Sequence, residues 1–246
     1  MAIVWREEVG GTRYEVRSAG HSRRLYTDGV FHSQINLRHP VTGGVWDLLL
    51  VPAYLAPPGS VRRVLALGVG GGAVLRQIQH FLEPERLVGI EIDPVHLKVA
   101  RRFFGLSDLR IELVCADAVE WLRAYRGPPF DLIVEDLYGQ RDGEPVRAEA
   151  GERWTRALAR RLTPHGVLVM NFVGRDERIA SAPANPSSAR FASAFELTHP
   201  MLDNAVAAFS RTAVTTGELR RRLEAVRELD PRRAGCRLRF RIRRLY

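Results

Sequence analysis

The sequence has two cysteines, three methionines and a single lysine, Lys98, among its 246 residues. Cys115 and Cys236 lie far apart, with no CxxC pair. This excludes a disulfide framework and the usual zinc spacings. The seven histidines show no spacing that suggests a metal site, so none is expected. Long apolar runs are missing too. The best uncharged stretch, residues 48–61, is too short to span a bilayer and carries Pro52, Pro57 and Pro58. Glu7 and Glu8 fall where a secretory peptide needs an apolar centre. The expectation is a cytoplasmic protein with no membrane partner. With 46% hydrophobic and 26% charged residues, collagen-like, disordered and coiled-coil classes are excluded.

Charge is unevenly spread. The formal net charge is +9, yet residues 211–246 alone hold twelve arginines against Glu218, Glu224, Glu228 and Asp230. A basic tail can be a phosphate-binding footprint, which makes nucleic acid a partner to consider. The favoured reading is a solvated surface. In residues 217–229, Leu219, Leu223 and Val226 form a helical apolar stripe with the arginines off it. In residues 237–245 apolar side chains alternate with arginines, as in a strand with one charged face.

The first 60 residues read as β: TRYEVR, RRLYT and VFHSQI alternate around turn pairs such as Asp28-Gly29. From Val64 the pattern changes. Short apolar runs at 64–68, 87–92, 110–114, 130–136 and 166–172 are separated by segments of helical periodicity. Asp93-Pro94 caps and opens one of these helices. Two further strands, near 194–199 and 204–210, are joined by a link short enough for an antiparallel pair. Residues 175–191 form a polar connection. The expected fold is α/β: a Rossmann-like, doubly wound, mostly parallel seven-stranded sheet with an antiparallel last strand pair. A small N-terminal β-hairpin region (1–58) is expected to precede a transferase domain (59–246).

The chemistry gathers where strands end. The first βα turn reads LGVGGGAVLR, and Gly68, Gly70 and Gly72 allow a sharp turn and close approach of a ligand. Such loops serve NAD, FAD and adenosyl sulfonium ligands alike, and a plain tight turn has the same glycines. Glu91 ends the second strand, where a carboxylate accepts both hydroxyls of a ribose. Asp117 follows the third strand, placed to accept an adenine amine while Ile92 and Ala118 cover the ring. Glu91 and Asp117 also read as helix caps. Asp136 ends the fourth strand on the same rim. Together these positions predict an adenosine-containing ligand, with Cys115 as a small buried neighbour of the adenine.

At these residues the chain resembles the spermidine synthase (polyamine aminopropyltransferase) group of the S-adenosylmethionine-dependent methyltransferase superfamily. The resemblance rests on RVLALGVGGGAVLRQIQHFL, LVGIEIDP, IELVCADAVEWL and FDLIVEDLYG, and more faintly on LYTDGVFHSQ. It implies that Glu91 and Asp117 hold the adenosine of S-adenosylmethionine or its decarboxylated form. It also implies that Asp136 deprotonates or orients the attacking nucleophile, and that the protein is a homodimer. Tyr138, two residues on, is placed to cover the acceptor or hydrogen-bond to it, and equally reads as a packed loop aromatic. Several family acids are absent. Gly71 stands where the glycine loop usually carries Asp, Gly139 replaces a second acid, and the D-x-x-Y-H-E stretch keeps only Asp47. His32 stands where a Gln is usual, with Gln34 close by. His32, Gln34 and Asp47 are therefore the expected contacts of a small-molecule acceptor. Because Gly71 removes a group that would repel a donor carboxylate, methylation is the first reading and aminopropyl transfer with a rebuilt acceptor site the alternative. An RNA-binding or RNA-modifying protein using the basic C-terminus is the reading from another class, and a ligand pocket without turnover is a fourth.

Overall fold

A computed structural model describes residues 1–141, 144–149, 151–181 and 190–246. The chain opens with a four-stranded antiparallel meander, β1 (Ala2–Val9), β2 (Thr12–Ala19), β3 (Ser22–Thr27) and β4 (Val30–Asn36). The Asp28-Gly29 turn has both residues at positive φ, which matches the twist of a hairpin. Helix α1 (Val45–Leu50) and a 3-10 turn lead into the main sheet. That sheet alternates with helices: β5 (Arg63–Leu67), α2 (Ala73–Leu82), β6 (Arg86–Glu91), α3 (Pro94–Phe103), β7 (Glu112–Cys115), α4 (Ala118–Ala124) and β8 (Phe130–Glu135). A two-stranded hairpin follows, β9 (Tyr138–Arg141) and β10 (Glu144–Arg147). The remainder is α5 (Gly151–Ala159), β11 (Leu162–Phe172), α6 (Arg175–Ser181), β12 (Ser193–Thr198), β13 (Ala205–Ser210), α7 (Thr216–Glu224) and β14 (Arg241–Arg244).

The main sheet runs β14-β12-β13-β11-β8-β5-β6-β7. Strands β5, β6, β7, β8 and β11 are parallel to their neighbours, and β13, β12 and β14 are added antiparallel. The sheet thus has eight strands among the described residues where seven were expected. The arginine-alternating C-terminus supplies the eighth, pairing with β12 at the edge. β1 and the β9–β10 hairpin were not anticipated either: β1 is mostly exposed and lacks a clean alternation. Of the polar connection 175–191, the first part is α6 and residues 182–189 lie outside the described residues.

Why these segments form these elements is local. The runs in β5, β6, β8 and β11 are buried on both faces, as parallel strands require. Asp93 caps α3 by accepting from the Val95 and His96 amides, with Pro94 at the first helical position. Thr215 and Glu218 form a reciprocal capping box on α7. One apolar cluster fills each face of the sheet. The first joins Val16, Leu25 and Ile35 of the meander to Leu48, Leu75, Leu97 and Leu219, so the meander shares a core with the sheet. The second packs α4 and α5 on the other face through Leu122, Trp154 and Leu158.

Several C-terminal arginines have work inside the molecule. Arg222 donates to the Tyr54, Leu55 and Ala56 carbonyls, Arg243 to Glu196, and Arg232 to Asp230. No described helix is long and apolar enough to cross a membrane.

Candidate active site

The glycine turn, the end of β6 and the end of β8 meet at the carboxyl edge of the sheet, the edge where open α/β sheets bind ligands. Gly68 has φ +84°, and a Cβ there would overlap the Asp136 carbonyl oxygen, so only glycine lets β5 turn beside β8. Glu91 fastens the turn. Its Oε2 accepts from the Val69 and Gly70 amides at 2.9 and 2.7 Å, and its Oε1 from the Asp93 amide at 3.0 Å. Burial alone would raise this carboxyl. His96 and the Asp93 and Gly70 amides outweigh burial and draw it down to about 2. Oε1 is otherwise approached by His96 Nδ1 at 3.9 Å, which leaves it capacity for a hydroxyl donor.

Beside Glu91 lies an apolar ledge. Ile92 is 66% exposed, Cys115 is exposed, and the Cys115 thiol reaches the Ile92 carbonyl at 3.7 Å. Cys115 is thus not buried as expected, because β7 is the edge strand there. Ala118 is buried in the second apolar cluster. Asp117 caps α4 through Oδ1, which accepts from Val119 and Glu120, and its side chain stands in solvent. The cap and an outward-facing Oδ2 are compatible roles.

At the other end, Asp136 Oδ1 accepts from Asn171 Nδ2 at 2.8 Å, and Asn171 Oδ1 accepts from Asn204 at 3.2 Å. No described donor reaches Asp136 Oδ2. Burial raises the Asp136 carboxyl above its ordinary range, with the Asn171 bond and Arg147 opposing. Directly behind it, Glu135 is fully buried and paired with the Arg147 guanidinium. Burial pushes Glu135 up to about 8, against the pull of Arg147. Arg147 also donates to the Asn171 carbonyl at 2.6 Å and lies over the Phe172 ring. Glu135, Arg147, Asn171 and Asn204 were all missed in the sequence. The available signals were a Glu and an Asn closing otherwise apolar strands, FDLIVED and GVLVMNF.

Two expected roles are corrected by the contacts. Tyr138 does not face an open site. Its hydroxyl donates to Glu177 at 2.6 Å and accepts from the Val173 amide and Arg147, and burial raises its ionisation strongly. It ties β9 to the end of β11. Asp47 does not face an acceptor either. It is 2% exposed and accepts from the Thr42 and Gly43 amides and the Gln77 side chain, so it braces the turn before α1. Gln34 is held by Arg24 and lines a cavity of about 400 Å³ along α2 with Arg76, Gln77 and His80. His32 alone of the expected acceptor contacts lies against the glycine turn: its carbonyl would be 3.1 Å from a Cβ on Gly70.

The His32 ring also packs against His96, centroids 4.9 Å apart. Thr27 Oγ1 meets His96 Nε2 at 2.8 Å, and Tyr14 donates to Asp93 at 2.8 Å. The meander therefore buttresses the Glu91 turn. Gly70 and Gly72 both take positive φ in that turn, and Gly72 begins α2. At Gly71 a Cβ would lie 2.7 Å from the Phe104 ring and 2.8 Å from Ser33 Cβ. The missing side chain at 71 is accounted for by packing.

A methyltransferase-domain family model matches residues 64–166. Polyamine aminopropyltransferase 2 of Caldanaerobacter subterraneus subsp. tengcongensis is 33% identical over 105 residues, 42% of this chain and 35% of that protein. The polyamine aminopropyltransferase of Chromobacterium violaceum is 31% identical over 175 residues, 68% of this chain and 64% of that protein. Over these residues the chain is similar to polyamine aminopropyltransferases. Among solved structures, a probable spermidine synthase from Corynebacterium glutamicum superposes with a TM-score of 0.71 at 17% identity, covering 99% of this chain and 91% of that one, which supports the fold. The chain spans 35% and 64% of the length of the two curated relatives.

Two outcomes follow. Asp47→Asn removes acceptor capacity from a buried carboxylate and should cost about 1–3 kcal/mol in denaturant unfolding, while binding of methylthioadenosine stays unchanged in calorimetry. Loss of binding without loss of stability would return Asp47 to the site. His32 is lowered from 6.5 to about 4 by burial and by His96. The unfolded chain takes up a proton that the folded chain refuses, so the contribution of His32 is present above pH 6.5 and is lost as pH falls toward 4. His32→Gln should flatten that limb of the stability–pH curve; an unchanged limb would contradict the assignment.

Proposed function

We propose that this chain is a group transferase of the polyamine aminopropyltransferase type, moving an aminopropyl group from decarboxylated S-adenosylmethionine to an amine. The observation that carries the reading is Asp136: a half-buried carboxylate with one oxygen held by Asn171, beside the glycine turn that Glu91 fastens. Curated relatives named as polyamine aminopropyltransferases support it. The argument for methylation rested on Gly71, and the Phe104 ring and Ser33 explain that glycine without reference to the donor. Aminopropyl transfer therefore takes the place that methylation held in the sequence reading.

The residues fit an adenosyl sulfonium donor. Glu91 Oε1 is available to a ribose hydroxyl, Asp117 Oδ2 to an adenine amine, and Ile92 with Cys115 offers an apolar ledge to the ring. The donor supplies a carbon made electrophilic by positive sulfur. Asp136 orients the acceptor nitrogen in line with that carbon and takes its proton at Oδ2. The new bond is nitrogen–carbon, and the pair of the broken carbon–sulfur bond leaves with a neutral thioether. Because burial raises Asp136, the carboxylate form and hence the rate are lost at a higher pH than for an ordinary aspartate.

Asp136→Asn keeps an acceptor oxygen for Asn171 Nδ2 and removes a charge that burial penalises, so melting should not fall. Methylthioadenosine release from the decarboxylated donor and an amine should drop ~10²–10⁴-fold in kcat/KM. Turnover retained within a few fold would remove Asp136 from the mechanism.

A further inference from the structure

The structure assigns a second ligand site, for a nucleoside polyphosphate, to the cleft between α4 and α5; it is independent of the transferase reading. The two helices pack on the face of the sheet opposite the meander, through Leu122, Trp154 and Leu158. Outside that packing they leave a cleft of about 650 Å³, a usual size for a small-molecule site. Its floor is apolar. Leu122 and Trp154 are buried there, and Val119 and Ala157 are half-buried. Its rim is cationic, with Arg123, Arg153, Arg156 and Arg160 all exposed. Arg161 is half-buried and ties the end of α5 to α4: it donates to the Leu122 carbonyl at 3.2 Å and lies 5.9 Å from the Tyr125 ring centre.

Arg153, Arg156 and Arg160 stand at i, i+3 and i+7, on one ridge of α5. Arg160 follows the last helical residue, and its amide still bonds to the Arg156 carbonyl at 3.1 Å. The ridge therefore runs about 10 Å along the axis, at about 1.5 Å per residue. Helix stability does not call for it. Like charges at these spacings are destabilising, and Arg153 lies in the first turn, where the helix dipole disfavours a cation. Neighbouring acids answer only part of the charge. Glu120 holds Arg123 at 2.6 Å and Glu152 approaches Arg156 at 3.7 Å, both as exposed pairs. Glu149 is the one acid in the lining, and Arg160 and Arg161 have no carboxylate partner among the described residues. Guanidinium forks match phosphate oxygens two at a time. A ridge of this length spans a chain of phosphates, whereas a lone carboxylate would reach a single arginine. The apolar floor beside it offers cover to a flat base. Such a lining repels ammonium and sulfonium groups, so the cleft is no extension of a donor or acceptor site.

The test is calorimetric titration of the full chain with GTP at about 150 mM salt, with and without methylthioadenosine. Saturable binding is expected in both cases. Guanosine and tripolyphosphate should each bind at least about tenfold more weakly, since each keeps only part of the contacts. In the double variant Arg156→Gln, Arg160→Gln, GTP affinity should fall about tenfold or more. Both side chains are exposed, so melting should change little. No saturable GTP binding would overturn the inference, as would displacement of GTP by methylthioadenosine or full affinity in the double variant. Tripolyphosphate binding as tightly as GTP would also overturn it, by showing that the floor takes no base. Tighter binding of single-stranded RNA, falling steeply with salt, would do so by giving the ridge to nucleic acid.

Discussion

The carboxylate of Glu91 is the point on which the site is assembled. One oxygen gathers two amides of the glycine turn, and the other the amide that precedes α3. A buried carboxylate is stable only with such a set of donors, and His96 completes it. His96 is in turn held by Thr27 and packed against the tilted His32 ring, both from the N-terminal meander. The meander thus does more than cover a face of the sheet: it fixes the turn that a donor would lie against. Val16, Leu25 and Ile35 anchor it in the same apolar cluster as α2 and α3.

A second constraint is charge. The chain carries a formal +9, and its interior acids are matched largely by arginine. Arg147 answers Glu135, and three arginines surround Glu196. Glu91, Asp47 and Asp136 are held by amides instead, and burial raises the Asp136 carboxyl above its ordinary range.

Much of the fold was legible because its signals are local. Strands β5, β6, β8 and β11 are continuous apolar runs, α3 announces itself by Asp93-Pro94, and the glycine turn follows a buried strand. Glu91, Asp117 and Asp136 were placed at one edge because strand ends in a parallel sheet share an edge. The side-chain fates were not legible where partners are remote. Asp47 meets Gln77 across 30 residues, Tyr138 meets Glu177 across 39, and Tyr14 meets Asp93 across 79. Spacing along the chain carries no trace of those contacts. Gly71 shows the converse risk: a missing acid was read as donor chemistry, while the Phe104 ring already fills the space.

The central claim is that the sheet edge carrying Glu91, Asp117 and Asp136 takes the decarboxylated sulfonium donor. Calorimetric titration of the full chain with decarboxylated S-adenosylmethionine and with S-adenosylmethionine tests it directly. The account predicts saturable binding of both, tighter for the decarboxylated form. Equal or tighter binding of S-adenosylmethionine would contradict it and restore methylation as the leading chemistry.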